Sequence, residues 1–130
     1  FGAREKEAAF GLGIALFNAE QYHAAHEAFE NCWLAAEGGD SDFYKGLIQV
    51  AVACHHWERG NETGARKLAR SGAALLARFA PAFHGVDVAA FLAALDLHFT
   101  PLRAAAAAKI PAPPPDPRSR PRLNLEPETQ

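Results

Sequence analysis

Between Phe43 and Arg59 the chain carries apolar side chains on nearly every face a helix would present: Leu47, Ile48, Val50, Ala51, Val52 and Cys54. A helix without a polar face belongs in the middle of a bundle, with other helices around it. Gln49 stands out as a polar side chain in its centre. The flanking sequence supplies the neighbours. Ala9, Leu12 and Leu16 set an apolar row in a first helix over about Glu5 to Phe17, and Asn18-Ala19-Glu20-Gln21 turns into a second over Tyr22 to Ala36. Gly38-Gly39-Asp40-Ser41 breaks the pattern, with Ser41 or Asp42 as N-cap of the third helix. Gly60 ends that helix, and Asn61 caps a fourth that runs to about Phe79. Ala65, Leu68, Ala69, Leu76 and Phe79 face inward there, against an outer row of Arg66, Lys67, Arg70 and Arg78. Asp87 caps a fifth helix carrying Phe91, Leu92 and Leu95, and Thr100-Pro101 reads as the start of a short sixth ending at Lys109.

The expected fold is all-α, a single compact bundle of five to six mostly antiparallel helices over residues 1–109, with the third central. Abundant alanine and sparse β-branched residues agree with it. From Pro111 to Pro121 six prolines forbid helix and favour an extended, polyproline-like tail over residues 110–130. Arg122-Leu123-Asn124-Leu125-Glu126 alternates polar and apolar. The tail reads either as disordered or as an arm whose Leu123 and Leu125 dock on this bundle or on a neighbour. At an offset of 40 residues Phe17 falls on Trp57, Ala25 on Ala65 and Ala28 on Leu68, the spacing of two tetratricopeptide-like hairpins.

A net charge of −2 and a pI near 6.3 argue against nucleic acid or an anionic membrane as main partner, which leaves a homo-oligomer or a partner chain engaged through the tail. No apolar run approaches the roughly 20 residues of a bilayer span, and no signal-peptide pattern opens the chain. The chain begins at Phe1 without any methionine, which reads as a trimmed start, and a cytoplasmic location is the default expectation. Cys32 and Cys54 fall about 12 Å apart along an antiparallel helix pair, beyond the roughly 7 Å a disulfide allows, so both are expected as buried thiols.

Chemistry concentrates on His26-Glu27-Ala28-Phe29-Glu30-Asn31-Cys32-Trp33, where His26, Phe29 and Trp33 share one helical face and Glu30 follows His26 by one turn. In an antiparallel neighbour Gln49 comes level with Glu30, and His56 comes within reach of His26. His26, Glu27, Glu30, Gln49 and His56 thus form a candidate ligand-binding cluster. His26 and Glu30, with His56 or His55, could ligate a divalent metal, or His26 could act as a base oriented by Glu30. The competing reading is structural: Glu30 accepts from His26, Gln49 bridges the third helix, and the network fixes helix register. His23 is expected on the opposite, solvent side and Trp33 in the core, while His84 and His98 have no assigned partners. Two functions remain open: a protein that binds a small molecule or metal at this cluster, and a non-catalytic helical-hairpin interaction module.

Asn18, Tyr22-His23-Ala24-Ala25-His26-Glu27-Ala28-Phe29-Glu30 with Trp33, Gly46-Leu47-Ile48-Gln49-Val50-Ala51, and Gly60-Asn61 with Gly64-Ala65 together resemble the small helical family called domain of unknown function 309. The resemblance covers about Phe10 to Leu95, with Gly85-Val86-Asp87 fitting a downstream segment. It implies an all-helical fold and no established activity. Glu20 stands where that family often has glycine in the first turn, and Phe29 where leucine is usual.

Overall fold

A computed structural model describes residues 2–125. Among these are five α-helices: α1 (Ala3–Asn18), α2 (Tyr22–Ala35), α3 (Asp40–Glu58), α4 (Glu62–Ala77) and α5 (Val88–Ala108). A two-stranded antiparallel hairpin, β1 (Ala82–Phe83) and β2 (Val86–Asp87), stands between α4 and α5, and a single 3-10 turn covers Pro117–Ser119. The chain is an all-α bundle in which α3 packs against both α2 and α4, while α1 lies on α2 and α5 on α4. Phe43, Leu47, Val50, Ala51, Ala53 and Trp57 of α3 are all buried, as a helix without a polar face requires.

One turn joins α1 to α2 and, forty residues on, α3 to α4. At the first, Glu20 N–H donates to the Phe17 carbonyl and Gln21 N–H to Leu16; at the second, Gly60 N–H donates to Trp57 and Asn61 N–H to His56. Each is a Schellman closure with its pivot in the left-handed region, φ 66° at Glu20 and 83° at Gly60. Glycine takes that conformation freely and glutamate does not.

Backbone contact is close where side chains vanish. A Cβ on Gly72 would sit 2.9 Å from Val50 Cγ2 and 3.0 Å from the Gly46 carbonyl, so α3 and α4 cross on a glycine pair. A Cβ on Gly13 would sit 2.5 Å from the Phe29 ring, so α1 lies directly on that phenylalanine.

Several expected details shift. The buried row of α2 is Tyr22, Ala25, Ala28, Phe29 and Cys32, leaving Trp33 41% exposed rather than in the core. Phe29 is common to both rows, but alanine and cysteine allow closer approach than His26 and Trp33 would, so α2 is turned by about one residue. On α1 the buried positions are Gly13, Ile14 and Phe17, with Leu12 55% exposed. Helix α3 starts at Asp40, so Ser41 and Asp42 lie inside its first turn, where Asp40 and Asp42 complement the helix dipole. No separate sixth helix forms. Helix α5 continues through Pro101, and Thr100 Oγ1 and Arg103 Nη2 donate to the Asp96 carbonyl at 2.7 and 2.8 Å beside the bond the proline removes. At 21 residues α5 is long and apolar enough by length and composition to cross a bilayer, contrary to the expectation that no run comes close. Its Phe91, Leu95, Phe99 and Leu102 are spent on the core.

The segment after α5 lies against the bundle. Trp57 Nε1–H donates to the Pro113 carbonyl at 3.0 Å, and Ala112 N–H donates to Glu62 at 3.0 Å. Leu123 is 2% exposed, and Leu125 pairs with Val86 at the hairpin edge while its side chain remains 60% exposed. Residues 126–130 of the expected tail lie outside the described residues. Cys32 and Cys54 are free and buried.

Candidate functional site

The five residues singled out in the sequence do not converge. His26 is half-buried and its Nδ1 donates to the His23 carbonyl at 2.6 Å, within its own helix. Glu27 and Glu30 are exposed, and Glu27 pairs with His23 at 3.2 Å. Gln49 turns away from α2, its Oε1 accepting from Ser71 of α4 at 2.6 Å. His56 lies 3.4 Å from Asn61 Nδ2. The expected buried Glu30–Gln49 link is therefore not formed. The one-residue rotation of α2 sends Glu30 to solvent, and Gln49 is claimed by the helix on the other side. His23 is not opposite His26 but beside it, with ring centroids 4.9 Å apart, and lies 5.4 Å from His55. Among the described residues no three His, Cys, Asp or Glu side chains form a group able to hold a metal ion, the expected His26, Glu30 and His56 (or His55) included.

Two histidines left without partners in the sequence reading have them. His84 Nε2 lies 2.7 Å from Asp40 Oδ2, and its ring stacks on Tyr44. His98 is 2% exposed, its ring 5.0 Å from that of Trp57. Ser119 Oγ donates to the Asp116 carbonyl, so His98 Nδ1, 2.9 Å away, donates to Ser119. Burial, with the Arg120 charge nearby, lowers His98 to about 4. Its place was readable: Leu95, His98 and Leu102 recur at three and four, the spacing of a core row.

Arg120 is the centre of the arm's attachment. Its Nη1 donates to Glu58 Oε1 at 2.6 Å and to the Tyr22 hydroxyl at 3.4 Å. Nε lies 3.4 Å from Glu20 Oε1, close enough for attraction but without hydrogen-bond alignment. Burial works against this charge, and the Glu58 and Tyr22 bonds outweigh it, so the guanidinium is held firmly protonated. Burial pushes Tyr22 up to about 12. No short-range sequence pattern announces this cluster, because Glu58 and Arg120 are 62 residues apart.

A concavity lies elsewhere among the described residues, between α4 and α5. It holds about 600 Å³, inside the usual range for ligand sites. Leu92, Leu95, Phe99 and Leu102 form its apolar floor. One bank is cationic: Arg66, Lys67 and Arg70 line it and make no ion pair among the described residues. On the other bank Arg103 is held by Asp96 at 2.8 Å. Lys67 and Arg70 are exposed, as the outward row of α4 predicts, and α5 closes a crevice beneath them.

Burial raises Cys32 to about 11 and raises Cys54 further, so both are neutral thiols near pH 7.

Residues 10–68 match the model of a family described as Domain of unknown function (DUF309). The match takes in most of α1, all of α2 and α3 and the start of α4, a shorter span than the motifs alone suggested. It supports the resemblance read from the sequence, and the helical fold agrees with it. The crevice floor on α5 and the arm both lie beyond the matched segment. No curated protein matches the chain.

Proposed function

We propose that this protein is a non-catalytic interaction module whose α4–α5 crevice receives an acidic segment of a partner protein. The observation that carries the reading is the unpaired row Arg66, Lys67 and Arg70 above an apolar floor. Cations without internal partners raise the local potential and favour an anionic visitor. The floor rewards apolar side chains, which a polyanion with no apolar groups does not offer. The apolar surface open to a visitor comes mainly from Ala69, Ala73 and Leu92, since Leu95, Phe99 and Leu102 keep at most 3% of theirs exposed. A small-molecule or metal site on His26, Glu27, Glu30, Gln49 and His56 has less support, because Glu30 faces solvent, Gln49 is bonded to Ser71 of α4, and no three such side chains among the described residues form a metal-holding group.

An anionic, apolar dye such as anilinonaphthalene sulfonate tests the surface. Its fluorescence should rise on binding the wild-type protein, and should fall several-fold with Arg66→Glu plus Arg70→Glu or with Ala73→Trp, which fills the crevice. Equal dye binding by all three proteins would overturn the assignment.

A further inference from the structure

The arm is seated by contacts of the kind one chain uses to recognise another. Asn18 brackets a single residue of it: Leu123 N–H donates to Asn18 Oδ1 at 2.8 Å, and Asn18 Nδ2 donates to the Leu123 carbonyl at 2.9 Å. That bracket holds backbone in an extended shape, as strand addition does. Immediately beyond, Asp87 N–H donates to the Asn124 carbonyl at 3.1 Å and Leu125 bridges Val86, so the arm adds to the free edge of the β1–β2 hairpin. Leu123 is the apolar anchor, and the Arg120–Glu58 pair, with Glu20 alongside, is the charge clamp.

The connection from α5 to the arm is a turn and a proline-rich spacer, fastened by the Trp57–Pro113 and Glu62–Ala112 hydrogen bonds. Lys109 ends α5 in the left-handed region at φ 59°, an unfavourable conformation for a residue with a side chain. Pro111, Pro113 and Pro114 are exposed, and consecutive prolines make the stretch a semi-rigid spacer.

We infer that the seat formed by Asn18, Tyr22, Glu58 and the β2 edge is a peptide-binding site, and that its second occupant is the arm of another copy of this chain. A second copy carries the matching Arg120, Leu123 and backbone register by construction. Reciprocal exchange closes a two-fold dimer and leaves no site empty. Every contact of the closed monomer is reproduced in trans, while the strained turn at Lys109 is free to relax.

A charge-reversal pair tests the exchange in the full-length chain. Glu58→Arg repels its own arm, and Arg120→Glu repels its own seat. Each alone should sediment as a monomer, whereas their equimolar mixture should form a heterodimer with two Arg–Glu clamps, one native and one reversed. A mixture that stays monomeric at millimolar protein overturns the inference. Deleting Pro113 to Pro115 gives a second reading that does not depend on those charges. It removes about 9 Å of spacer at about 3.1 Å per residue, so the arm cannot reach its own seat. The deletion variant should be dimeric by light scattering, and a monomer would equally overturn the exchange.

Discussion

Acidification should weaken this fold through one side chain, His98. The residue is 2% exposed, beside Trp57 and the charged Arg120, and donates from Nδ1 to Ser119. Burial first, and then the Arg120 charge, bring it from 6.5 to about 4. A histidine lowered in the folded state binds its proton more readily when unfolded. Its contribution is therefore complete above about pH 6.5, declines as the pH falls, and is lost by about pH 4. The interval is worth about 3 kcal/mol at about 1.4 kcal/mol per pH unit, against domain stabilities of about 5–15 kcal/mol. Undocking of the arm uncovers His98, so the arm should leave before the bundle unfolds. Urea denaturation between pH 7.5 and 4 measures the effect, with Trp57 fluorescence in a Trp33→Phe background reporting the arm. His98→Gln, which keeps a donor for Ser119 but cannot titrate, should lose about 3 kcal/mol less than wild type over that range. Parallel stability curves for the two proteins would refute the reasoning, since carboxylates titrate in both.

Leu123→Ala should cost about 2–5 kcal/mol in urea unfolding, the range for truncating a buried leucine; a loss below about 1 kcal/mol would mean that the arm contributes little to the fold. Gly72→Ala and Gly11→Ala should differ in sign. The first pushes a methyl to 2.9 Å from Val50 and 3.0 Å from the Gly46 carbonyl and should lower the melting temperature, while the second enters open space and should raise it through helix propensity by up to about 1 kcal/mol.

The fold was legible because its determinants are local. The apolar face all round α3, Gly60 at a left-handed closure, and the Asn61 and Asp87 side chains that cap α4 and α5 each act within a few residues. Each is bonded as the sequence suggests: Asn61 accepts from Gly64 N–H at 3.0 Å and Asp87 from Ala90 N–H at 2.9 Å. The candidate site was less legible because it depended on a rotation. His26, Phe29 and Trp33 make as good a helical row as Tyr22, Ala25, Phe29 and Cys32, and periodicity cannot choose between rows that share Phe29. Close packing chooses, since Gly13 of α1 needs the Phe29 ring flush against it and small residues on either side let the helices approach. Once that contact sets α2, Glu30 faces water and Gln49 is left to Ser71. The features behind the proposed function and the proposed exchange have a different character. Arg66 and Leu95 meet across a crevice, and Glu58 meets Arg120 across 62 residues of chain. Each needs the tertiary fold before either partner has meaning. The fold thus parts Glu30 and Gln49 from the histidines they were expected to join, and sets the ordinary-looking cations of α4 along one crevice.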